Sequence, residues 1–443
     1  MQGNYKDIIK LATPIMLGGV AQNSIAFADT AMLARYGEVE LTAVGIVSMW
    51  YLLVFMIGFA FTKGTQIFIA RRLAERNYEA VGSIFSNSFV ILSGIGLVLF
   101  FVLRFGSPYL MDWYFENELA KIAGTEYLQT RAYGIIFSFI GSVFLAFYMG
   151  VGVLNILIWA MLVMASFNIF MNYVLIFGAF GFPEMGISGA AMASNLAEIL
   201  VTSIMVVYTL RKQFHKKYFF FKKQVLSRQV SLSITSISVP IVTLTVVGLL
   251  AWMVFMYYIE KMGPFDTQVS NLTKSLYMFL GLPAWAFSAA SGTIISNLMG
   301  QKLHHRVIEA IKNIMVLSFI TTFIVALPIV VFPEFIVSNV LDPKLPELVP
   351  ASVPVIYVMF IALLIYSVST VLFHSIVSTG SATVSLVIEL ITIAGYLGFV
   401  LWVFSLEENT VAIAWTSEIF YWLFLLLVAY LYFRSGRWKN TTI

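Results

Sequence analysis

One aspartate, Asp29, lies inside the first long apolar stretch of the chain, roughly residues 11–36. An ionised carboxylate in hydrocarbon costs on the order of 3 kcal/mol, so it is kept where it has a partner, a water-filled cavity or a proton. Gln22 lies about two turns earlier and adds polarity to the same stretch. We interpret Asp29 as a cation-binding or proton-binding residue that faces a cavity. The alternative is an interfacial aspartate paired with Arg35.

Polar residues at helical spacing in the fifth and sixth apolar stretches could complete such a site. Asn168 and Asn172 are four residues apart and therefore share a helix face. Ser194 and Glu198 end a stripe of small residues with the same spacing. Oxygens of these types are hard ligands that suit alkali cations, or hydrogen-bond partners for a protonated carboxyl group. The sequence predicts a coupling site of Asp29, Asn168, Asn172, Ser194 and Glu198. The alternative for the asparagines is interhelical hydrogen bonding worth about 0.6 kcal/mol a pair.

Further ionisable residues lie inside apolar stretches, namely Lys63, Lys274, Glu389 and Glu418. His374 precedes a turn at 378–380 and could relay protons, because histidine titrates near neutral pH. A hydrogen-bonded structural histidine is the alternative. The secondary candidates for the coupling site are Glu389, His374, Lys274 and Gln22.

The composition is that of a polytopic membrane protein. Hydrophobic residues make up 60% of the 443 and charged residues 11%, whereas soluble domains carry about 25% charged residues. The absence of cysteine excludes disulfides, thiol catalysis and cysteine-ligated metals. The sequence contains no phosphate-binding Gly-Lys-Ser/Thr motif and no convergent nucleophile, base or metal set. We therefore expect neither an enzyme nor a cofactor. The first apolar stretch is too long for a cleavable signal peptide and should remain as a membrane helix.

Twelve apolar stretches are long enough to span a bilayer, at about 20 residues or more each. They lie near residues 11–36, 44–69, 84–110, 127–151, 154–178, 186–210, 231–259, 267–298, 311–333, 350–377, 382–405 and 410–433. With the N-terminus inside, most of the 26 Lys and Arg residues fall on inner loops, and the outer set is Arg35, Arg104, Lys121, Arg131, Lys261 and Lys344. The positive-inside rule then predicts a multi-pass inner (plasma) membrane protein with both termini in the cytoplasm.

A basic stretch at residues 211–229 divides the chain into an expected N-lobe, 1–210, and an expected C-lobe, 230–443. Gly64 and Gly292 recur at the same interval as Gly152 and Gly380, which indicates an internal repeat. Each half has an even number of spans, so the halves share one orientation, as in repeats related by a pseudo-two-fold axis along the membrane normal. We expect the basic stretch to contact anionic lipid headgroups. It is too short for a nucleic-acid-binding domain.

Several motifs are spread along the chain. Pro14, Gln22 and Asp29-Thr30 lie in the first stretch, and NIFMNYVLIFG, Asn168–Gly178, is followed by GFPEMGISGAAMAS, Gly181–Ser194. ARRLAERN follows the second stretch. In these motifs and in its twelve-helix plan, the sequence resembles the multidrug and toxic compound extrusion (MATE) family of secondary transporters, and the resemblance covers nearly the whole chain.

The resemblance implies an all-α membrane protein whose two six-helix lobes form a V. It also implies outward export of amphipathic, often cationic, compounds, driven by inward movement of H⁺ or Na⁺. Relatives build the N-lobe site from polar residues on the first, fifth and sixth helices, which correspond here to Asp29, Asn168, Asn172 and Ser194. Some relatives have aspartate where this chain has Asn172. The loss of that charge weighs against a tight Na⁺ site at Asp29, Asn168 and Asn172.

The second half departs from the family pattern. A large branch of the family has a glutamate shortly after the proline of the seventh helix, but VPIVTLTVVG, Val239–Gly248, has no carboxylate. An aspartate expected on the tenth helix is missing from IYSVSTVLFHS, Ile365–Ser375. Asp29 is therefore expected to be the main coupling residue, and Glu198 and Glu389 are secondary candidates.

These features together predict a monomeric, cation-coupled antiporter that works by rocking of its lobes. Its expected partners are small amphipathic molecules and membrane lipids, and its coupling ion is H⁺ or Na⁺. The alternative is a lipid-linked precursor flippase of the same superfamily. Such proteins often have fourteen helices and a more cationic cavity, whereas the intramembrane cations expected here are Lys63 and Lys274.

Overall fold

The computed structural model describes residues 3–114, 117–222, 226–340 and 346–441. It is all-helical over these ranges. The first half contains α1 (Tyr5–Tyr36), α2 (Glu38–Ala74), α3 (Tyr78–Tyr114), α4 (Glu118–Val151), α5 (Asn155–Phe177), α6 (Gly186–Arg211) and the short α7 (Phe214–Lys217). The second half contains α8 (Arg228–Glu260), α9 (Pro264–Leu280), α10 (Leu282–Gly300), α11 (His304–Val331), α12 (Pro333–Val340), α13 (Leu348–Ser378), α14 (Ala382–Phe404) and α15 (Val411–Arg434). Two 3₁₀ turns, Ala179–Gly181 and Arg437–Asn440, complete the helical elements.

The predicted membrane spans are confirmed as long apolar helices. Within the described ranges, 11 helices are long and apolar enough to cross a membrane, and 12 spans result if α9 and α10 are counted as one. The chain is thus a multi-pass membrane protein.

The stretch predicted as one helix near 267–298 is in fact two helices, α9 and α10, bent by 43°. Pro283 lies at the start of α10 and has no N–H to donate to the carbonyl of Phe279, so the helical hydrogen-bond ladder is interrupted there.

The chain divides into two compact units, and each boundary falls inside a helix. The first, called here the N-terminal unit, is Leu17–Val242. The second, the C-terminal unit, is Met1–Met16 with Thr243–Ile443. The boundaries follow Pro14 in α1 and Pro240 in α8, and a proline inside a helix removes a hydrogen bond at such a point.

Each unit has its own packing. In the N-terminal unit α4 packs against α2, α3 and α6, and α5 packs against α6. In the C-terminal unit α13 packs against α9, α10, α11 and α15. A buried cluster that includes Phe255, Met359, Tyr396 and Trp415 forms part of the core of the C-terminal unit.

The basic stretch 211–229 lies within the N-terminal unit; its residues 223–225 are outside the described ranges. The ring of Phe220 stacks on Phe85 of α3, with 3.9 Å between the ring centroids. The backbone N–H of Phe221 donates to Ser86 Oγ at 2.9 Å. A Cβ atom on Gly82 would lie 1.6 Å from the carbonyl oxygen of Tyr218, so only glycine permits this approach. The aromatic part of the stretch is therefore packed on the end of α3.

Two of the four glycines in the predicted repeat, Gly152 and Gly380, lie just after helices, whereas Gly64 and Gly292 lie inside α2 and α10. Gly152 follows α4 with φ 73°, and Gly380 lies just after α13 with φ 99°. Both angles fall in the left-handed region that glycine adopts readily, which is a common way for a helix to end.

Candidate functional site

Asp29 lies in the second half of α1 and is partly buried. Its Oδ1 accepts a hydrogen bond from Asn172 Nδ2 on α5. Within the described residues, no Lys, Arg or His nitrogen lies within 4.0 Å of its carboxylate. The nearby hydroxyls of Ser24 and Thr30 donate to the backbone carbonyls of their own helix instead. Asp29 is thus bonded to a neutral amide with no ion pair to compensate its charge.

A line of hydrogen bonds runs from Asp29 through α5 to α6. Asn172 Nδ2 also donates to Asn168 Oδ1 at 3.1 Å, and Asn168 Nδ2 donates to Ser194 Oγ at 3.1 Å. Asn168, Asn172 and Ser194 are buried. The spacing of the two asparagines places both amides on the face of α5 that meets α1 and α6. The structure therefore brings Asp29, Asn168, Asn172 and Ser194 into one chain of contacts.

The oxygen of the Asn172 side-chain amide has an unusual environment. Asn172 Oδ1 is buried and has no hydrogen-bond partner among the described residues. A buried acceptor without a donor costs about 1–3 kcal/mol. A proton on Asp29, or a cation beside it, would give this oxygen a partner.

Glu198, predicted as a fifth member, binds a different partner. Its Oε1 lies 2.8 Å from Nη2 of Arg131 on α4, and both residues are buried. Arg131 Nη1 donates to Asn195 Oδ1 at 2.8 Å, and its guanidinium lies 3.9 Å from the centroid of the Tyr51 ring. Asn195 Nδ2 donates to the carbonyl oxygen of Thr130 at 2.6 Å. Glu198 is therefore the acidic half of a buried ion pair that joins α4 and α6.

Arg131, which was counted among the charges of the outer loops, does not lie in a loop. The residue lies well inside α4, Glu118–Val151, and only 5% of its surface is exposed. Sequence reasoning missed it as a site residue because an arginine near the end of a span ordinarily reaches the interface. Its position inside the predicted span 127–151 is the signal that could have found it.

The secondary candidates Gln22, Lys274 and His374 differ in their surroundings. Gln22 is exposed on α1. The Lys274 Nζ is 5.8 Å from the centroid of the Trp252 ring. His374 is partly buried on α13, and its ring lies 5.4 Å from that of Phe373.

Glu389 and Glu418 lie together with aromatic residues in the C-terminal unit. Tyr421 on α15 donates to Glu389 Oε1 at 2.5 Å, and Tyr396 on α14 donates to Glu418 Oε1 at 3.1 Å. Each glutamate is thus bonded to a tyrosine of the other helix.

Proteins named as multidrug resistance proteins are similar to this chain over most of its length. A probable multidrug resistance protein NorM from Thermotoga maritima is 26% identical over 99% of this chain and 94% of its own length. A protein of the same name from Synechocystis is 24% identical over 77% of this chain and 74% of its own.

Solved structures show the same fold at lower identity. A MOP superfamily transporter from Pyrococcus furiosus superposes with a TM-score of 0.89 at 18% identity, over 99% of this chain and 97% of that one. A MATE protein in complex with MaL6 gives a TM-score of 0.90 at 18% identity, with the same coverage of both chains. The MatE family model matches residues 14–174 and 240–404. The chain therefore belongs to the MATE family of secondary transporters.

Proposed function

We propose that this protein is a cation-coupled antiporter that exports amphipathic, often cationic, drugs or toxic compounds. The relatives from Thermotoga maritima and Synechocystis carry the name of multidrug resistance proteins, which supports this class of substrate. The observation that carries the proposal is the Asp29 carboxylate, held by Asn172 with no cation within ion-pair distance in the described part of the chain. An intramembrane carboxylate in this setting is by default a functional residue.

Asn172 can respond to the charge of Asp29. The amide N–H group of Asn172 donates to Asp29 Oδ1, which is the arrangement that suits an ionised carboxylate. When Asp29 takes a proton, its O–H becomes a donor, and Asn172 Oδ1 is the buried acceptor beside it that lacks a partner. A reoriented Asn172 amide would no longer donate in the same way to Asn168 Oδ1. Neutralisation of Asp29 would thereby change the contacts that join α1, α5 and α6.

This response gives a transport cycle. The cavity accepts substrate while Asp29 is deprotonated and the N-lobe is open to the outside. Arrival of H⁺ or Na⁺ neutralises Asp29, α1 repacks, and the substrate leaves outward. The lobes then rock to the inward-facing state, where the cation is released. A bound cation can drive this change only by as much as it favours one state over the other.

The same proposal includes the membrane arrangement. The excess of Lys and Arg on one set of loops favours an inner (plasma) membrane location with both termini in the cytoplasm. The lobes are assigned to residues 1–210 and 230–443, joined by 211–229 next to the lipid headgroups. The protein would act as a monomer, without a cofactor, and would bind no nucleic acid.

The test uses proteoliposomes loaded with ethidium and driven separately by a pH gradient and by a Na⁺ gradient. Wild type, Asp29→Asn and the control Asp7→Asn, which removes a carboxylate from the first turn of the same helix, are compared. We expect one gradient to drive uphill export in wild type and in Asp7→Asn, and we expect neither to do so in Asp29→Asn. The effective gradient identifies the coupling ion.

Two results would contradict the proposal in different ways. Undiminished uphill export by Asp29→Asn would remove Asp29 from the coupling site. Absence of export by wild type under both gradients, with lipid-linked precursors translocated instead, would favour the flippase.

A further inference from the structure

Two carboxylates of the C-terminal unit are more deeply buried than Asp29. Glu389 on α14 and Glu418 on α15 each have 4% of their surface exposed. Neither lies within 4.0 Å of a Lys, Arg or His nitrogen in the described parts of the chain. Two buried carboxylates without a cation cost several kcal/mol each if both are charged.

The hydrogen bonds around the pair cross between the two helices. Tyr421 of α15 donates to Glu389 of α14, and Tyr396 of α14 donates to Glu418 of α15. The rings of Tyr396 and Tyr421 are in contact, with 5.3 Å between their centroids. The two glutamates and two tyrosines therefore form one cluster, which we call the α14–α15 cluster.

One oxygen of the cluster is left without a partner. Glu389 Oε2 is buried and has no hydrogen-bond partner among the described residues. A Cβ atom on Gly248 of α8 would lie 3.3 Å from Glu389 Oε1. Because this residue is a glycine, it has no side chain that could neutralise the glutamate at this point.

The groups that face the cluster from other helices are neutral. The hydroxyl of Tyr277 on α9 accepts a hydrogen bond at 2.7 Å from Nε1 of Trp422, which lies on α15 one turn after Glu418. The Tyr366 ring of α13 lies 4.5 Å from that of Trp422. The basic residue of α9 is Lys274, whose ammonium lies against Trp252 and forms no ion pair with either glutamate. On α13, His374 contacts Phe373.

The chemistry of these groups selects a proton over a metal cation. Na⁺ requires several oxygen lone pairs directed at one point. Here the tyrosine hydroxyls act as donors to the carboxylates, and the indole N–H of Trp422 cannot bind a cation. The described residues contain no group of three or more His, Cys, Asp or Glu that could hold a metal ion.

We propose that Glu389 and Glu418, with Tyr396 and Tyr421, form a second proton-binding site, which exchanges a proton during the transport cycle in addition to the ion at Asp29. The proposal rests on the proposed antiport function for its role in transport, but proton binding by the cluster can be measured without transport. The proton resides on a glutamate oxygen, and the tyrosine hydroxyls hold the carboxyl groups in place.

The first experiment is infrared difference spectroscopy of the purified full-length protein in light and heavy water. We expect a carbonyl band from protonated carboxylic acid at neutral pH that shifts on deuteration. Glu389→Gln and Glu418→Gln should each reduce this band, whereas the matched control Glu407→Gln, in the exposed loop after α14, should leave it unchanged. A band of undiminished intensity in both cluster variants would overturn the proposal, and so would loss of the cluster's share of the band on addition of Na⁺ at constant pH.

Tyr421→Phe provides a test that does not depend on whether the glutamine variants fold. It removes the hydroxyl bonded to Glu389 and retains the ring, so the carbonyl band should shift in frequency rather than vanish. An unshifted band would contradict the assignment to Glu389.

The second experiment measures the protons released when ethidium binds to detergent-solubilised protein in weak buffer. If Asp29 and the α14–α15 cluster each exchange one proton, Glu389→Gln should halve the release and Asp29→Asn should halve it independently. Release that is unchanged in Glu389→Gln would show that the cluster does not exchange its proton. A failure confined to Asp29→Asn would count against the proposed coupling site and leave the cluster intact.

Discussion

At the scale of single residues, two carboxylates of the N-terminal unit lie in opposite electrical settings. The guanidinium of Arg131 compensates the charge of Glu198 at 2.8 Å. Asp29, which is partly buried, accepts a hydrogen bond from the neutral amide of Asn172 and has no Lys, Arg or His nitrogen within 4.0 Å among the described residues. The charge of Glu198 is compensated by a cation. Asp29 is the carboxylate that we propose as the ion-binding residue, because an intramembrane carboxylate without an ion pair is by default functional.

The ion pair between Arg131 and Glu198 should be costly to break from one side. Arg131→Met leaves a buried carboxylate without its cation and should cost about 3–5 kcal/mol. Thermal unfolding of the detergent-solubilised protein would show this as a large fall in Tm, and Arg131→Met combined with Glu198→Met should recover much of it.

An exposed ion pair supplies the control. Arg72 and Glu75 are 2.7 Å apart with side chains about a third exposed. Such pairs contribute about 0–1 kcal/mol, so Arg72→Met should leave Tm nearly unchanged. An equal fall in Tm for Arg72→Met and Arg131→Met would refute the assignment.

The residues of the hydrogen-bonded chain could be chosen from the sequence, because carboxylates and paired amides are rare inside apolar stretches. The four-residue spacing of Asn168 and Asn172 places them on one face of α5. The partner of Glu198 could not be read in this way. The pairing with Arg131 joins residues 67 apart and depends on how α4 and α6 pack. The role of these hydrogen-bonded side chains in ion coupling stays a prediction.

At the scale of elements, α4 packs against α2, α3 and α6 of the N-terminal unit. Its approach to α6 depends on Gly134. A Cβ atom there would lie 2.2 Å from Asn195 Oδ1 and 2.8 Å from Glu198 Oε2. A missing side chain on α4 thus makes room for the polar groups that bind Arg131.

Gly134→Ala should therefore destabilise the protein by about 1–3 kcal/mol, as expected for overpacking. Gly94→Ala on α3 is a matched control, because its Cβ would meet no atom within 4 Å. Thermal unfolding should show a lower Tm for Gly134→Ala and no loss for Gly94→Ala. Equal behaviour of the two variants would show that α4 and α6 do not approach as closely as described.

The helices themselves were predictable to within a few residues at most of their ends, because long apolar runs bounded by charges and glycines specify membrane spans. The break between α9 and α10 was not. Hydropathy is continuous across Gly281 and Pro283, and an intramembrane proline can bend a helix or leave it nearly straight, depending on how neighbouring groups satisfy the freed carbonyl.

At the scale of the whole molecule, the stretch between the halves is a folded segment over much of its length. Phe220 fills a position on Phe85, and the backbone is fixed by Ser86 and by Asn87, whose Oδ1 accepts from Ser227 N at 3.2 Å. The basic composition predicts contact with lipid headgroups, which stays a prediction, and the aromatic residues within the stretch account for its packing on α3. Contacts between distant aromatic rings leave no periodic signal in the sequence.

The packing of this stretch predicts resistance to proteolysis. Trypsin should cleave slowly after Lys216, Lys217 and Lys222 in the folded wild type, and faster in Phe220→Ser, which removes the stacked ring. Leu226→Ser is the control, because Leu226 is exposed in the same stretch. Equally rapid cleavage of wild type and Phe220→Ser, followed by gel electrophoresis, would show that the stretch is not anchored.

Synthesis from the N-terminus sets an order on the buried ion pair. Arg131 arrives with α4, and Glu198 is made 67 residues later. Insertion of an arginine at the centre of a membrane helix is unfavourable by about 2.5–3.5 kcal/mol. The apolar residues of α4 must outweigh this free energy before Glu198 has been synthesised. Once α6 has entered the membrane, Glu198 and Asn195 can bind the guanidinium of Arg131. We therefore expect the ion pair to form late in biogenesis, because α4 and α6 can be joined by it only after α6 has been inserted.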